Sequence, residues 1–162
     1  MTLTELQDEV YTITKRPDLI AETLLAVRQS TLALHQSDYF WKDIAETGLS
    51  FSTSAYLQEI EYRSILPRFR AIKYLRKSDS AGATGAFFTV ISPESVLDLY
   101  GTDRTDVCYA AGASIEIKSS TQFQYAILGY YQNPDLTTTG FDSWIALDHP
   151  YAIVLEAAEK VF

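Results

Sequence analysis

Two histidines, one cysteine and a dense basic stretch are the residues with chemical potential in this 162-residue sequence. His35 and His149 lie far apart, and neither belongs to an HExxH or similar ligand spacing, so no metal site is expected. His35 stands three residues before Asp38 at a helix end, where pairing with that carboxylate or with the helix dipole accounts for it. Cys108, between Val107 and Tyr109 in an expected strand, reads as a small buried hydrophobe. As the single cysteine it forms no intramolecular disulfide, which fits a reducing compartment. A Cys–His or Ser–His–Asp arrangement would have to be assembled from distant residues, because no nucleophile-elbow motif marks a serine. The seven glycines are scattered through turns, with neither a Walker loop nor GxGxxG. No catalytic residue and no cofactor is assigned, and no enzymatic activity is expected.

The basic stretch runs from Arg63 to Lys77, RSILPRFRAIKYLRK, and holds Arg63, Arg68, Arg70, Lys73, Arg76 and Lys77 with no carboxylate among them. The whole chain carries a formal net charge of -8, so taking away these six positive charges leaves -14 on the rest. Two kinds of chemistry fit. One is a nucleic-acid-binding module in which Phe69 or Tyr74 stacks on bases. The other is ion pairing with carboxylates of another protein subunit. Because side chains alternate along a strand, the charged and aromatic residues need not share a face, which favours the second, as does the acidity of everything else. These six residues are therefore the candidate subunit contacts.

These side chains need elements to position them. An apolar fraction of 47% and a charged fraction of 21% describe a chain able to bury a core. The start has neither the charge nor the apolar run of a signal peptide, and no stretch approaches the ~18 apolar residues of a membrane span, so a soluble protein is expected. Thr2 or Thr4 can cap a first helix with Leu3, Leu6, Val10 and Ile13 on one face. A second helix is expected from Pro17 to about Gln36, its stripe formed by Leu19, Ile20, Leu24, Val27, Thr31 and Leu34. Strand texture follows at 39–46, then a Ser/Thr-rich loop at 50–54, then the basic strand from about Phe69 to Arg76, which forms a hairpin with 86–91 across a long tip at 78–85. Ser92-Pro93-Glu94 starts a short helix closed by Gly101. Strands at 106–109, 114–118 and 123–131 form an antiparallel meander, Ser119-Ser120-Thr121 being one of its turns. After an exposed connection at 137–143, a last helix follows Asp148-His149-Pro150. The expected fold is α+β: the N-terminal helices and a C-terminal helix packed with or beside an antiparallel β-sheet or small β-sandwich. One domain is expected over 1–162, helical at about 1–38 and 148–162 and β-rich at about 39–147.

Three segments carry a family resemblance: RPDLIAETLLAVRQSTLALHQSDYFWKDI from Arg16 to Ile44, RFRAIKYLRK from Arg68 to Lys77, and the run from GTDRTDVCYAAG at Gly101 through GYY at Gly129 to SWIALDHPYAIVLEAAEKVF, ending at Phe162. Their order resembles the adaptor, or head-to-tail connector, proteins of short-tailed bacteriophages. The resemblance implies a structural virion protein, a homo-oligomeric and typically dodecameric ring at the head–tail junction, assembled in the host cytoplasm. Its partners would be the portal protein, a tail or nozzle protein, and DNA that passes through the channel without sequence-specific binding, with no membrane involved. Family members continue with more helix past the segment matching Ser143–Phe162, so a C-terminal portal contact is not carried over. The alternatives are the nucleic-acid module on residues 63–77 and a small hydrolase with a dispersed site built on His35 or His149.

Overall fold

A computed structural model describes residues 1–97 and 100–162, with Thr84 described by its backbone. The fold is α+β. Its helices are α1 (Leu3–Thr14), α2 (Ile20–Gln36), α3 (Tyr62–Ile65), α4 (Trp144–Asp148) and α5 (Pro150–Val161). Its strands are β1 (Ile44–Glu61), β2 (Phe69–Ser78), β3 (Thr84–Val90), β4 (Val107–Ala111) and β5 (Ser114–Gln132). The contacts divide them into a helical unit, Met1–Asp43 with Asn133–Phe162, and a β unit, Ile44–Gln132.

In the helical unit α1 starts with a reciprocal cap: Thr2 Oγ1 accepts from Glu5 N at 3.3 Å and Glu5 Oε2 accepts from Thr2 N at 2.7 Å. Those bonds, the Thr2 backbone bond first, hold the Glu5 carboxyl below its ordinary pKa. The buried face is Leu3, Leu6, Val10 and Thr14, with the expected Ile13 exposed, because a 3.6-residue turn carries the stripe from Val10 to the fourth residue on. α2 begins at Ile20 rather than Pro17. Asp18 is held by Arg16 through two 3.0 Å bonds in the preceding turn. Its buried face is made of small and polar residues, Thr23, Ala26, Val27, Ser30, Thr31 and His35, while Leu24 and Leu34 are half-buried and Ile20 is exposed. Ala157 and Ala158 of α5 are buried in the same core as Ala26 and Val27, so the two helices meet through short side chains. Leu6, Val10, Ile145, Ile153 and Val154 complete that core. Pro150 opens α5 as expected, and α4, capped by Ser143, precedes it over residues expected to belong mostly to the β-rich part.

In the β unit β5 is one bent 19-residue strand rather than two strands of a meander. Ser119 makes the corner, its hydroxyl donating to Thr121 O at 2.6 Å and accepting from Thr121 N at 3.2 Å while the strand continues. The second half of β5 pairs with β2 and the first half with β4; β2 pairs with β3, and β3 runs parallel to β4, so these strands close a small barrel. The sheet is thus mixed rather than antiparallel. Residues 91–106 supply the crossover that a parallel pair requires. Among the described residues of the span where a helix to Gly101 was expected there is a 3₁₀ turn, Pro93–Ser95; Asp98 and Leu99 lie outside the described residues. β1 runs along the remaining edge of β5, continuing through 50–54 with a register irregularity instead of a loop. There Gln58 Nε2 donates to Thr53 O and Phe123 O, and Gln124 Nε2 to Phe51 O, satisfying carbonyls that leave the ladder. The hairpin of β2 and β3 forms as expected. Leu49, Ile60, Leu75, Phe88, Ile115, Ile117 and Leu128 fill the core together with Cys108, whose thiol burial pushes up to about 12, an inert value.

Candidate functional site

The six basic residues do not form one patch of free charge. Arg63 on α3 is exposed and Arg68 precedes β2, and neither forms an ion pair among the described residues. Arg70 is half-buried at the start of β2, and Lys73 is exposed with its ammonium 5.7 Å from the Tyr131 ring. Arg76 is taken up within the chain by Glu46 Oε1 at 2.7 Å, and Lys77 by Asp106 Oδ1 at 3.1 Å. Tyr74 also bonds Glu46, at 2.7 Å, although β5 separates their strands. The ring crosses β5 over Gly129, which faces Tyr74 on one side and Glu46 on the other and has no side chain to obstruct it. Tyr74 and then Arg76 hold the Glu46 carboxyl below its usual pKa. Phe69 lies between Tyr62 and Tyr130, at 4.3 and 5.8 Å, and the Tyr74 ring has one face laid on Gly129, so neither ring is free on both faces for a base.

Asp106, in left-handed conformation at φ 56°, joins Lys77 to the corner of β5. Hydrogen bonding from Ser120 first, opposed by desolvation and aided by Lys77, lowers its pKa to about 2. A folded-state value below the unfolded one, about 3.9, adds stability above that value and loses it as pH falls towards 2. Asp106→Asn, which tolerates the same backbone conformation, should therefore flatten the acid limb between about pH 4 and pH 2 in a denaturant titration. An acid limb identical to wild type would remove Asp106 from acid unfolding.

A second cluster lies inside the helical unit, where the last turn of α2 brings His35, the 3₁₀ turn Trp41–Asp43 brings Asp43, and the cap of α4 brings Ser143. His35 Nδ1 is 2.8 Å from Asp43 Oδ1, and Nε2 is 2.9 Å from Ser143 Oγ. An ionised Asp43 accepts from Nδ1–H, which leaves Nε2 to accept the serine hydroxyl; Ser143 Oγ in turn accepts Ala146 N–H at 3.2 Å. Trp144 Nε1 donates to the same Asp43 oxygen at 2.7 Å, and Oδ2 is buried without a hydrogen-bond partner among the described residues. His35, Asp43 and Ser143 are 2%, 3% and 4% exposed. The sequence offered Asp38 or the helix dipole to account for His35; the structure brings Asp43 to its Nδ1, because the turn after α2 returns that carboxylate to the helix end. Nothing in the sequence ties His35 to Ser143, 108 residues away. The order Asp–His–Ser is that of a hydrolase relay. Here it is closed, the hydroxyl serving as a helix cap and bordering a depression of about 240 Å³. His149 is exposed, its ring 6.5 Å from that of Trp144.

The charge is divided unequally between the units. The helical unit holds five Lys and Arg against twelve Asp and Glu, and the β unit eight against nine. Among the described residues no group of His, Cys, Asp and Glu has metal-binding geometry, and no helix is long and apolar enough to cross a membrane. Compared with protein-family models and with curated proteins, the chain matches none.

Proposed function

We propose that this chain is a structural assembly subunit, a head–tail adaptor that forms a ring between portal and tail around the passing DNA. The observation that carries the reading is the charge division: an acidic helical unit, and a β unit in which the exposed Arg63 and Lys73 and the half-buried Arg68 form no ion pair among the described residues. A closed ring joins one face of each subunit to a different face of the next, so a basic surface can meet an acidic one at every interface. An acidic remainder also limits counterion-release affinity for DNA in transit. The nucleic-acid module is disfavoured because each of its two candidate stacking rings has a face occupied. A hydrolase is the second reading, favoured by the His35, Asp43 and Ser143 geometry alone.

Mass measurement by light scattering, on the chain alone and mixed with a portal ring, tests the proposal. The wild-type chain should form a ring in at least one condition, more weakly as salt rises. Arg63→Glu with Arg68→Glu should lower assembly at least tenfold while leaving the melting curve unchanged. A wild-type chain that stays monomeric in both conditions, or a double variant that assembles normally, overturns it.

A further inference from the structure

Closure of the barrel leaves β1 with a free edge along its whole length. β5 has neighbours on both sides and β2, β3 and β4 do so over part of their length, whereas among the described residues β1 pairs with β5 alone throughout. The 18 residues of β1 include three glutamates but none of the lysine, arginine or proline that commonly protects an exposed edge. The hydrogen-bond phase of its second half can be read from the end of the strand. Tyr62 N–H donates to Ala113 O at 3.1 Å, and Ile60 opposite Ile115 and Gln58 opposite Ile117 keep that register. These are the bonded pairs, so Leu57, Glu59 and Glu61 turn their N–H and C=O groups away from β5. Ser64 Oγ meets the Glu61 carbonyl at 3.0 Å. Leu57 and Glu59 thus offer their main-chain groups outward. Beside them lies a cleft of about 320 Å³ whose walls include Leu49, Phe51, Ile60 and Ile65, together with Glu59 and Glu61.

We propose that this edge and cleft receive an extended segment of a partner protein in which basic and apolar residues alternate. The segment adds a strand to β1. Its basic side chains stand beside Glu59 and Glu61, which are exposed and form no ion pair among the described residues, and its apolar side chains turn to the side of Ile60 and enter the cleft. A second copy of this chain is a poor occupant. Pairing through its own β1 would bring glutamates against glutamates, and its alternating segment, Arg68 to Ile72, is already held along one side by β5. This surface is separate from the basic stretch, and the inference does not depend on ring formation.

The test uses the full chain and two fluorescein-labelled peptides, acetyl-KVKVK-amide and acetyl-EVEVE-amide, followed by anisotropy at low and moderate salt. The basic peptide should bind at least tenfold more tightly than the acidic one. Glu59→Pro removes an outward N–H that β5 does not use, and Glu59→Lys with Glu61→Lys reverses the charge; each should weaken the basic peptide at least tenfold with the circular dichroism unchanged. Equal binding of the two peptides, no binding at millimolar concentration, or indifference to Glu59→Pro overturns the proposal. A wild-type dimer that Glu59→Pro dissolves also overturns it, by showing that a second copy holds the edge.

Discussion

His35→Ala should be among the most damaging single substitutions in the helical unit, lowering stability by about 3 kcal/mol in urea denaturation followed by tryptophan fluorescence. The imidazole is 2% exposed and donates to a carboxylate that is 3% exposed, so its removal leaves Asp43 Oδ1 with Trp144 Nε1 alone while Oδ2 already has no hydrogen-bond partner among the described residues. It also opens a gap against the Trp144 ring, whose centroid lies 5.6 Å away. Ser143→Ala removes only the cap of a five-residue helix and one bond to His35, and should cost about 1 kcal/mol. If His35→Ala were no worse than Ser143→Ala, the cluster would not be what joins α2, the 41–43 turn and α4. The hydrolase reading is decided on the same proteins: a fluorophosphonate probe should leave Ser143 unlabelled in wild type, and labelling that His35→Ala abolishes would instead establish a working nucleophile.

Gly129→Ala should destabilise the β unit by about 2 kcal/mol through one side chain. A Cβ at Gly129 would lie 2.7 Å from Tyr74 Cε2 and closer still to Cζ and Cε1, in a ring that bonds Glu46 at its hydroxyl and packs edge-on to Phe87. Tyr74 would have to leave its place, and the link from β2 across β5 to β1 would go with it. In a Tyr74→Ala background the same glycine substitution should fall within about 0.5 kcal/mol of neutral, because the obstruction has been removed and alanine is no worse than glycine in a strand. Equal costs in both backgrounds would show that the glycine matters for its backbone rather than for the ring lying on it.

Both sites show where sequence reading reaches and where it stops. The Thr2 cap, the β2–β3 hairpin, Pro150 at the start of α5 and the burial of Cys108 are local events, decided by a residue and its near neighbours, and all were legible. The extent of the basic strand was legible for the same reason. Which of its charges remain unpaired was not, because Glu46 and Asp106, which take up Arg76 and Lys77, come from β1 and from the residue just before β4. Ser119–Thr121 carries turn chemistry and does form a turn-like corner, yet pairing on both sides of it keeps β5 one strand.

By itself, then, the sequence determined an α+β chain, the positions of its main helices and basic strand, and a strong segregation of charge, all properties of composition and short-range periodicity. Only the tertiary structure decided the parallel β3–β4 pair that closes the barrel, the free edge left on β1, the ring of Tyr74 over Gly129 and the meeting of His35 with Asp43 and Ser143. Each of these depends on register or on contact between residues distant along the chain, and neither propensity nor spacing encodes which distant partner a side chain will meet.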